Sequence, residues 1–264
     1  MDSKGLLNGF ELIEQIGQGG IGAVWKARQL SLDRIVAIKL LLPEYSRDKD
    51  ENRRLVSEAR TAAKLKHSGI VQVYDAIEEN GTFFFVMEYV AGYNVGKWLH
   101  RKHQLSEADT ITVGMAVADA LDYAWRAAKL IHCDIKPDNI MVDTDGAIKV
   151  ADLGLSRTLD NRSDAQDDYV LGTPSYMSPE QVEGQSDLDC RTDIYALGAT
   201  MYHMATGHRP FQEVPDRKAA DLQISGHLSD AMDLNPALSP AFCAVLEKML
   251  AKNRDDRYAF CQKA

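Results

Sequence analysis

The chain has 264 residues, with 30 lysines and arginines against 39 aspartates and glutamates, so its formal net charge at pH 7 is −9. This acidic balance argues against a protein that binds nucleic acid or an anionic membrane over its whole surface, although a local basic groove stays open. A hydrophobic content of 45% and a charged content of 26% are typical of a globular chain that buries a substantial core.

The sequence carries no targeting signal that we can identify. No apolar run approaches the roughly 18 to 20 residues that a membrane helix needs, and Met1–Phe10 lacks the apolar core of a signal peptide. The four cysteines show no C-x-x-C spacing, which favours a reducing compartment over a disulfide scaffold or a zinc site. We therefore expect a cytoplasmic location, or the cytoplasmic face of a membrane protein if the chain is part of a longer one.

The first third of the chain is rich in strand patterns. Runs of β-branched and aromatic residues, separated by turn signals, predict strands over Phe10–Ile16, Ala23–Ala27, Ile35–Leu40, Ile70–Ile77 and Thr82–Val90. The Asn-Gly pair at 80–81 predicts a hairpin turn between the last two strands, because both residues tolerate positive φ.

Helical patterns interrupt the strands once and dominate after residue 91. Apolar residues at helical spacing predict a helix over Asp48–Lys66. Ser106–Asp109 is similar to a capping box, with aspartate in place of the usual glutamate, and opens a helix to about Lys129. Two further helices fit Thr192–Thr206, which ends at Gly207, and Pro240–Ala251. A small strand-rich part therefore precedes a larger helical part, and a cleft between two such lobes is a usual place for a ligand.

A glycine pattern, G-x-G-x-x-G, occurs at Gly17, Gly19 and Gly22. Dinucleotide-binding enzymes, such as nicotinamide-dependent dehydrogenases, and kinases both use it to approach phosphate groups. A dinucleotide site needs a helix after the glycines, whereas the strand pattern Ala23–Ala27 follows them here. The context therefore favours the kinase class, in which the glycines let the backbone close over ATP phosphates without Cβ clashes.

Lys39 lies fifteen residues after Val24, in the apolar run Ile35–Leu42. A solvated strand lysine is the alternative, but an unpaired ammonium in such a run is costly, so we expect Lys39 to neutralise α- and β-phosphate oxygens. Glu58 borders the inward face of the predicted helix, where its carboxylate could hold Lys39 in place. Taken alone, however, a glutamate on a helix is usually a surface residue.

The strongest chemical signal is Ile131–Asn139, followed by Asp152. Asn139 and Asp152 offer the hard oxygen ligands that suit Mg²⁺, which also takes phosphates and water. Within the same stretch, Asp134 can accept the proton of an attacking hydroxyl, and Lys136 can neutralise a γ-phosphate. A polar loop rich in turn residues is the alternative, and it does not explain the whole set.

These motifs together resemble those of the eukaryotic-type serine/threonine protein kinases, and most closely their bacterial members. The resemblance runs from Phe10 to Tyr258 and keeps the family's motif order through Gly172–Glu180, Asp193–Gly198 and Arg257. It implies an α+β, bilobal fold, with a small antiparallel β-sheet lobe carrying one regulatory helix and a larger, mainly helical lobe. It also implies one catalytic domain over 1–264, with 1–90 as the smaller lobe and hinge start, and 91–264 as a larger lobe truncated at its C-terminal end.

By similarity, Lys39 and Glu58 form an ion pair that marks the active state, and Asp134 deprotonates the substrate hydroxyl. Asn139 and Asp152 bind the metal ion that bridges the phosphates. The resemblance also assigns the adenine pocket: Met87 is the gatekeeper, the backbones of Glu88 and Val90 bind adenine, and apolar side chains sandwich the ring, namely Ile16, Val24, Ala37 and Met141.

Several further residues match structural positions of the family. Glu180 and Arg257 match a buried ion pair, and Asp193 matches a helix carboxylate that anchors the catalytic-loop backbone. We expect His132 to pack rather than react, because a base at that position has no substrate proton within reach.

Two positions depart from the family's pattern. Cys133 stands where many members have an arginine that pairs with an activation-segment phosphate, so we expect activity to depend little on such phosphorylation. The alternative is that another basic residue, such as Arg157, captures a phosphate. Leu153 replaces the usual phenylalanine after Asp152 but stays apolar, so its packing role should survive.

The resemblance implies a serine/threonine protein kinase that transfers the ATP γ-phosphoryl group to protein hydroxyls, its own included. Lys136 and Thr173 match serine/threonine rather than tyrosine kinases. ATP and Mg²⁺ are the expected cofactors, with Mn²⁺ as an alternative ion, and the expected partner is a protein substrate rather than nucleic acid. Relatives often continue into a membrane helix, so a full-length parent could be membrane-anchored. A pseudokinase that binds ATP as a scaffold or sensor is the alternative function.

Overall fold

A computed structural model describes residues 6–19, 22–42, 60–79, 82–152 and 174–259. The described residues form two compact units. The smaller unit takes them from Met1–Lys66 and Val71–Ala91, and the larger unit takes them from His67–Ile70 and Gly92–Ala264. Among these residues, no helix combines the length and the apolar character that crossing a membrane would require.

The smaller unit is built on a six-stranded antiparallel sheet in the order β1-β2-β3-β4-β6-β5. Its strands are β1 Leu6–Leu7, β2 Phe10–Gly19, β3 Gly22–Gln29, β4 Arg34–Leu41, β5 Val73–Glu79 and β6 Thr82–Glu88. The five predicted strands are present, with one correction. Ile70 is not part of β5, because it belongs to the larger unit and forms an isolated bridge with Val150 there.

One face of this sheet packs into an apolar core. Val36 and Ile38 of β4 are fully buried there against Phe84 and Val86 of β6. Since side chains alternate along a strand, Ala37 and Lys39 point to the opposite face of β4. Because the core occupies one face of the sheet, the face that carries Ala37 and Lys39 is left for a ligand.

The predicted helix over Asp48–Lys66 is described only at its end. Residues 60–64 are helical, and the Leu65 amide donates to the Ala62 carbonyl at 3.0 Å just beyond them. Ala62 and Leu65 are both buried, as their helical spacing predicts. Glu58 and the start of the predicted helix lie outside the described residues.

The larger unit contains a three-stranded antiparallel sheet, β7 Gly92–Asn94, β8 Ile140–Asp143 and β9 Ile148–Val150, in the order β7-β8-β9. Its helices are α1 Val95–Lys102, α2 Glu107–Ala128, α3 Pro179–Val182, α4 Cys190–Thr206, α5 Asp216–Ser225, α6 Ala231–Leu234 and α7 Pro240–Met249.

The helix ends follow the local sequence. Ser106 caps α2 by accepting from the Asp109 amide at 3.1 Å, and its hydroxyl donates to the Asp109 carboxylate at 2.7 Å. The aspartate therefore reaches the cap hydroxyl, where the longer glutamate of a capping box reaches the cap amide. Gly207 ends α4 in the left-handed conformation, at φ 76°. The helix α7 stops at Met249, slightly before the predicted Ala251.

The helix α4 forms the centre of the larger unit. Almost all of its residues are buried, in contact with α2 and α7. At Gly198 a Cβ would lie 2.8 Å from the Cβ of Met249, so glycine allows α7 to approach closely. A helix this well packed provides rigid support for the loops that hydrogen-bond to it.

Candidate active site

The smaller unit gathers most of the predicted nucleotide-binding side chains on one face of its sheet. In the strand register Lys39 lies opposite Val24 of β3 and Phe85 of β6, and Ala37 lies opposite Met87. Directly opposed residues of antiparallel strands point to the same face. Val24, Ala37, Lys39 and Met87 therefore form one continuous patch.

Lys39 is the charged member of this patch. Its exposed fraction is only 7%, and its strand neighbours Ile38 and Leu40 are apolar. The alternative of a solvated surface lysine is therefore wrong. An ammonium buried to this extent needs anionic or hydrogen-bonding neighbours.

The glycine motif lies in the hairpin of β2 and β3. Gly17 pairs with Val24 and Gly19 with Gly22, and the ladder shifts register at Ile16. Strands on both sides of the glycines confirm the strand–turn–strand prediction and exclude the dinucleotide-binding alternative, which requires a helix. Residues 20 and 21 lie outside the described residues.

Gly22 is needed for packing as well as for any ligand. A Cβ at this position would lie 1.9 Å from the Leu40 carbonyl oxygen, so a side chain there would push β4 away. A Cβ at Gly19, in contrast, would meet nothing within 4 Å. A Cβ at Gly17 would lie 3.7 Å from the Val24 Cβ, an ordinary contact. Of the three glycines, Gly22 therefore has a structural reason that is independent of phosphate.

The predicted adenine-binding backbone follows β6. The Glu88 amide donates to the Gln72 carbonyl at 2.8 Å, and the Glu88 carboxylate accepts from the Gln72 amide at 3.2 Å. The Glu88 backbone amide is therefore already bonded within the smaller unit. Val90 is buried, while Ile16 and Val24 are partly exposed.

In the larger unit a buried carboxylate holds the loop 131–139. Asp193 of α4 accepts from the His132 amide at 2.7 Å and from the Cys133 amide at 2.9 Å. Burial raises the pKa of Asp193, and His132 together with the two loop amides partly offsets this rise. Cys133 adopts a positive φ of 66°, so the two bonds hold the loop in a conformation that residues with a Cβ rarely adopt.

His132 is fully buried and uses both ring nitrogens. Its Nδ1 accepts from the Asp134 amide at 3.2 Å, so its Nε2 carries the proton and donates to the Ala151 carbonyl at 2.8 Å. The imidazole thus connects the loop to the residue before Asp152. This arrangement fits a packing role and leaves no ring nitrogen for proton transfer.

Asp134, Lys136 and Asn139 form a compact polar cluster. The Lys136 ammonium lies 2.9 and 2.8 Å from the two carboxylate oxygens of Asp134. The Asn139 side-chain nitrogen donates to the carbonyl and to Oδ2 of Asp134, at 2.8 and 2.9 Å. The side chains of Asp134 and Lys136 are about one-fifth exposed, at 22% and 19%, so the carboxylate is oriented but still accessible.

A backbone hydrogen bond places Asp152 beside this cluster. The Ala151 amide donates to the Asn139 carbonyl at 2.8 Å, and Asp152 follows with a positive φ of 60°. Asn139 and Asp152 therefore lie on adjacent backbones. Since the Asn139 nitrogen faces Asp134, its amide oxygen is directed elsewhere, and an amide oxygen with a carboxylate is a donor pair that fits Mg²⁺. Met141, the last predicted adenine contact, is partly exposed on β8.

A buried ion pair braces the helix α3. Arg257 donates to both carboxylate oxygens of Glu180, at 2.7 and 2.8 Å, and the two side chains are 0% and 4% exposed. Burial raises the pKa of Glu180, but the hydrogen bonds and charge of Arg257 outweigh it and hold the pKa below its ordinary value.

The structure also shows contacts that the sequence reasoning missed. The Gln181 side chain donates to the Cys133 carbonyl at 2.8 Å, which connects α3 to the loop of Asp134. The sequence does contain a local signal for the start of α3, because Ser178 and Gln181 form a capping box. Leu153, Arg157 and Thr173 lie outside the described residues, as does Glu58.

Comparisons with known proteins agree with this geometry. The protein kinase domain family matches residues 10–264. A probable serine/threonine-protein kinase of Clostridium perfringens is 34% identical over 98% of this chain and 37% of its own length. PrkC of Bacillus subtilis is 32% identical over 94% of this chain and 38% of its own length, and PknB of Mycobacterium tuberculosis is 36% identical over 94% and 40%.

A solved structure extends the likeness to the fold. The PknI kinase domain of Mycobacterium tuberculosis superposes with a TM-score of 0.80 at 27% identity, covering 99% of this chain and 95% of that domain. The chain thus spans about two-fifths of the length of these three curated relatives but nearly the whole of the solved domain.

Proposed function

This chain belongs to the protein kinase domain family, and we propose that it transfers the γ-phosphoryl group of ATP to serine and threonine hydroxyls of proteins, its own included. The observation that carries the proposal is the cluster of Asp134, Lys136 and Asn139, in which a partly exposed carboxylate is oriented by two donors. Such orientation is what a general base for an incoming hydroxyl requires.

The smaller unit supplies the nucleotide contacts in this proposal. The β2–β3 hairpin brings glycine backbone to the phosphates, and Lys39 neutralises the α- and β-phosphate oxygens. The adenine ring is held by the apolar side chains Ile16, Val24, Ala37 and Met141, and by backbone groups of Glu88 and Val90. Support comes from the strand register, which aligns Val24 and Ala37 with Lys39 on one face.

The larger unit supplies the metal ligands. The family uses ATP with a divalent metal ion, and we assign that ion here as Mg²⁺, with Mn²⁺ as the alternative. The Asn139 amide oxygen and the Asp152 carboxylate would hold it. When bound, the ion neutralises phosphate charge and orients the γ-phosphoryl group for in-line transfer.

The chemistry then follows from the cluster. Asp134 orients the substrate hydroxyl and takes its proton as the hydroxyl oxygen bonds to the γ-phosphorus. The bond between the γ-phosphorus and its bridging oxygen breaks, and ADP leaves with that electron pair. Lys136, which lies within 3 Å of Asp134, stabilises the negative charge that the transferred group carries. Glu58 completes the proposal as the carboxylate partner of Lys39 in the active state.

Serine and threonine are proposed as the acceptors. Lys136 and Thr173 match the pattern of serine/threonine kinases, and the curated relatives carry serine/threonine-protein kinase in their names. The chemistry at Asp134 needs only an aliphatic hydroxyl within hydrogen-bond reach.

A labelling experiment tests the proposed function. The chain is incubated with Mg²⁺ and ATP labelled in either the γ- or the α-phosphate, together with a protein rich in serine and threonine. We expect label from γ-labelled ATP only, recovered as phosphoserine and phosphothreonine. ATP binding without any transfer would overturn the proposal in favour of a pseudokinase, and phosphotyrosine as the main product would overturn the assignment of the acceptor.

A further inference from the structure

A directional chain of hydrogen bonds runs through the larger unit, outside the proposed catalytic cluster. The Lys252 ammonium donates to the Tyr195 hydroxyl at 2.9 Å, and that hydroxyl donates to Oε1 of Gln223 at 2.6 Å. The Gln223 side-chain nitrogen then donates to the Pro174 carbonyl at 3.0 Å. These bonds join four residues that lie far apart in the sequence.

The direction of each bond is set by chemistry. The Pro174 carbonyl can only accept, so the Gln223 amide must present its nitrogen there and its oxygen to Tyr195. The Tyr195 hydroxyl gives its single proton to that oxygen, so it must accept from Lys252. Tyr195 and Gln223 are both fully buried, so a missing member would leave a polar group without a partner.

Lys252 is an unusual donor for such a chain. Among the described residues, no carboxylate lies within ion-pair distance of its ammonium, which contacts the Leu222 carbonyl at 3.4 Å and lies over the ring of Phe211. Burial and the nearby charge of Arg257 lower the pKa of Lys252 to about 8. Such a site lowers the stability of the fold, because a half-buried ammonium is held by neutral groups beside a like charge.

The segment at the Pro174 end of the hydrogen-bond chain contacts the loop that carries the candidate base, Asp134. Pro174 begins the short 3-10 helix Pro174–Tyr176, which leads through the Ser178 cap into α3. There Gln181 donates to the carbonyl of Cys133, the residue before Asp134. We call residues 174–181 the docking segment. The docking segment therefore contacts the loop that carries Asp134, where the proposed function brings the hydroxyl of a protein substrate.

We propose that Lys252, Tyr195 and Gln223 are positioning residues that hold the docking segment in place for the protein substrate without acting on ATP. The inference rests on the proposed kinase function. It gives two buried residues and a half-buried lysine, all of them outside the proposed catalytic cluster, a role in the affinity for protein substrate.

Three substitutions test the inference: Tyr195→Phe, which removes only the hydroxyl, Gln223→Leu and Lys252→Met. We expect each to raise the KM for a serine-containing peptide about fivefold, which corresponds to about 1 kcal/mol for one lost hydrogen bond, and to change the KM for ATP less than twofold. The matched control is Tyr202→Phe on the same helix, whose hydroxyl donates to the Ser229 carbonyl at 3.0 Å. The control should leave both KM values unchanged.

Hydrogen exchange of peptides that cover residues 174–181 provides a readout that needs no activity. We expect faster exchange there in Gln223→Leu than in Tyr202→Phe, when the two variants are compared at equal distance below their melting temperatures. Unchanged exchange, or equal changes in both KM values, would overturn the inference. If the wild-type chain transfers no phosphoryl group, the proposed function fails, while the exchange experiment still decides whether these residues hold the segment.

Discussion

The side-chain nitrogen of Asn139 lies 2.8 Å from the carbonyl oxygen of Asp134 and 2.9 Å from its Oδ2. Both partners are acceptors, so the orientation of the amide is determined and its oxygen is turned away from Asp134. One residue thereby orients the candidate base with its nitrogen and leaves its oxygen for the proposed metal ion. The proposed base and the proposed metal site are therefore connected through Asn139, and a change in either should affect the other.

Replacing the candidate base should abolish most of the transfer without unfolding the protein. For Asp134→Asn we expect kcat to fall by roughly 10²- to 10⁴-fold, because the amide cannot take the hydroxyl proton. Rates of label transfer from γ-labelled ATP measure this. Asp145→Asn, an exposed aspartate in the turn between β8 and β9, is the control and should keep its activity. Label transfer by Asp134→Asn at the wild-type rate would contradict the assignment.

The buried pair of Glu180 and Arg257 should dominate stability near α3. Glu180→Gln leaves the guanidinium buried without its counter-charge, and we expect a loss of roughly 3–5 kcal/mol in the free energy of unfolding at pH 7. Denaturant titrations measure it, and the exposed Glu183→Gln serves as the control. A loss as small as that of the control would show that the pair contributes little.

The same pair predicts a pH dependence. The folded-state pKa of Glu180 lies below its ordinary value of 4.5, so its stabilising effect is fully present above that pH and is lost as the pH falls further. We therefore expect the stability difference between wild type and Glu180→Gln to be constant from pH 7 to about 5 and to shrink below pH 4.5. A difference that grows in acid would contradict this.

His203 should make the protein sensitive to mild acid. Its Nδ1 lies 2.7 Å from the Tyr176 hydroxyl oxygen, and burial, together with the nearby Arg209 and His208, lowers the pKa of His203 to about 4. The unfolded chain takes up this proton near pH 6.5, so stability should fall as the pH drops from about 6.5 to 4, by at most about 3 kcal/mol. His203→Gln should flatten that part of the profile, and the exposed His100→Gln should not.

Activation-segment phosphorylation should matter little for this chain. Cys133 is buried, with its amide bonded to Asp193 and its carbonyl to Gln181, and it offers no cation to a phosphate. We expect phosphatase-treated and untreated protein to differ less than tenfold in activity. The same is expected of a variant with alanine at Thr158 and Ser163, two hydroxyl residues of the activation segment, which the sequence places at residues 153–178. A larger fall would indicate that another basic residue, such as Arg157, captures a phosphate.

Local pattern predicted much of the fold. β2, β3 and β4 follow from runs of β-branched and aromatic residues between turn signals, and the end of α4 follows from Gly207. Both signals act between near neighbours. Ile70 shows where prediction from local pattern fails. It continues the apolar pattern of the next strand, yet its neighbour Gly69 accepts from the amide of the distant Val150. That pairing places Ile70 in the larger unit.

The candidate site was predictable as a set of residue types but not as a network. The spacing of Asp134, Lys136 and Asn139 places them in one loop, where contact between them is expected. The bonds from Gln181 to Cys133 and from Gln223 to Pro174 span 48 and 49 residues. They depend on how the helices pack around α4, which periodicity within one helix does not encode.

The central proposal is that Lys39 and Asp152 act on the same nucleotide. Calorimetric titration of Mg-ATP into Asp134→Asn, which should not turn over, tests this most directly, with Lys39→Met or Asp152→Asn added to that variant. We predict one nucleotide per chain, and a binding event that each added substitution weakens roughly 10- to 100-fold. Two separate binding events, or an affinity unchanged by either substitution, would contradict the claim.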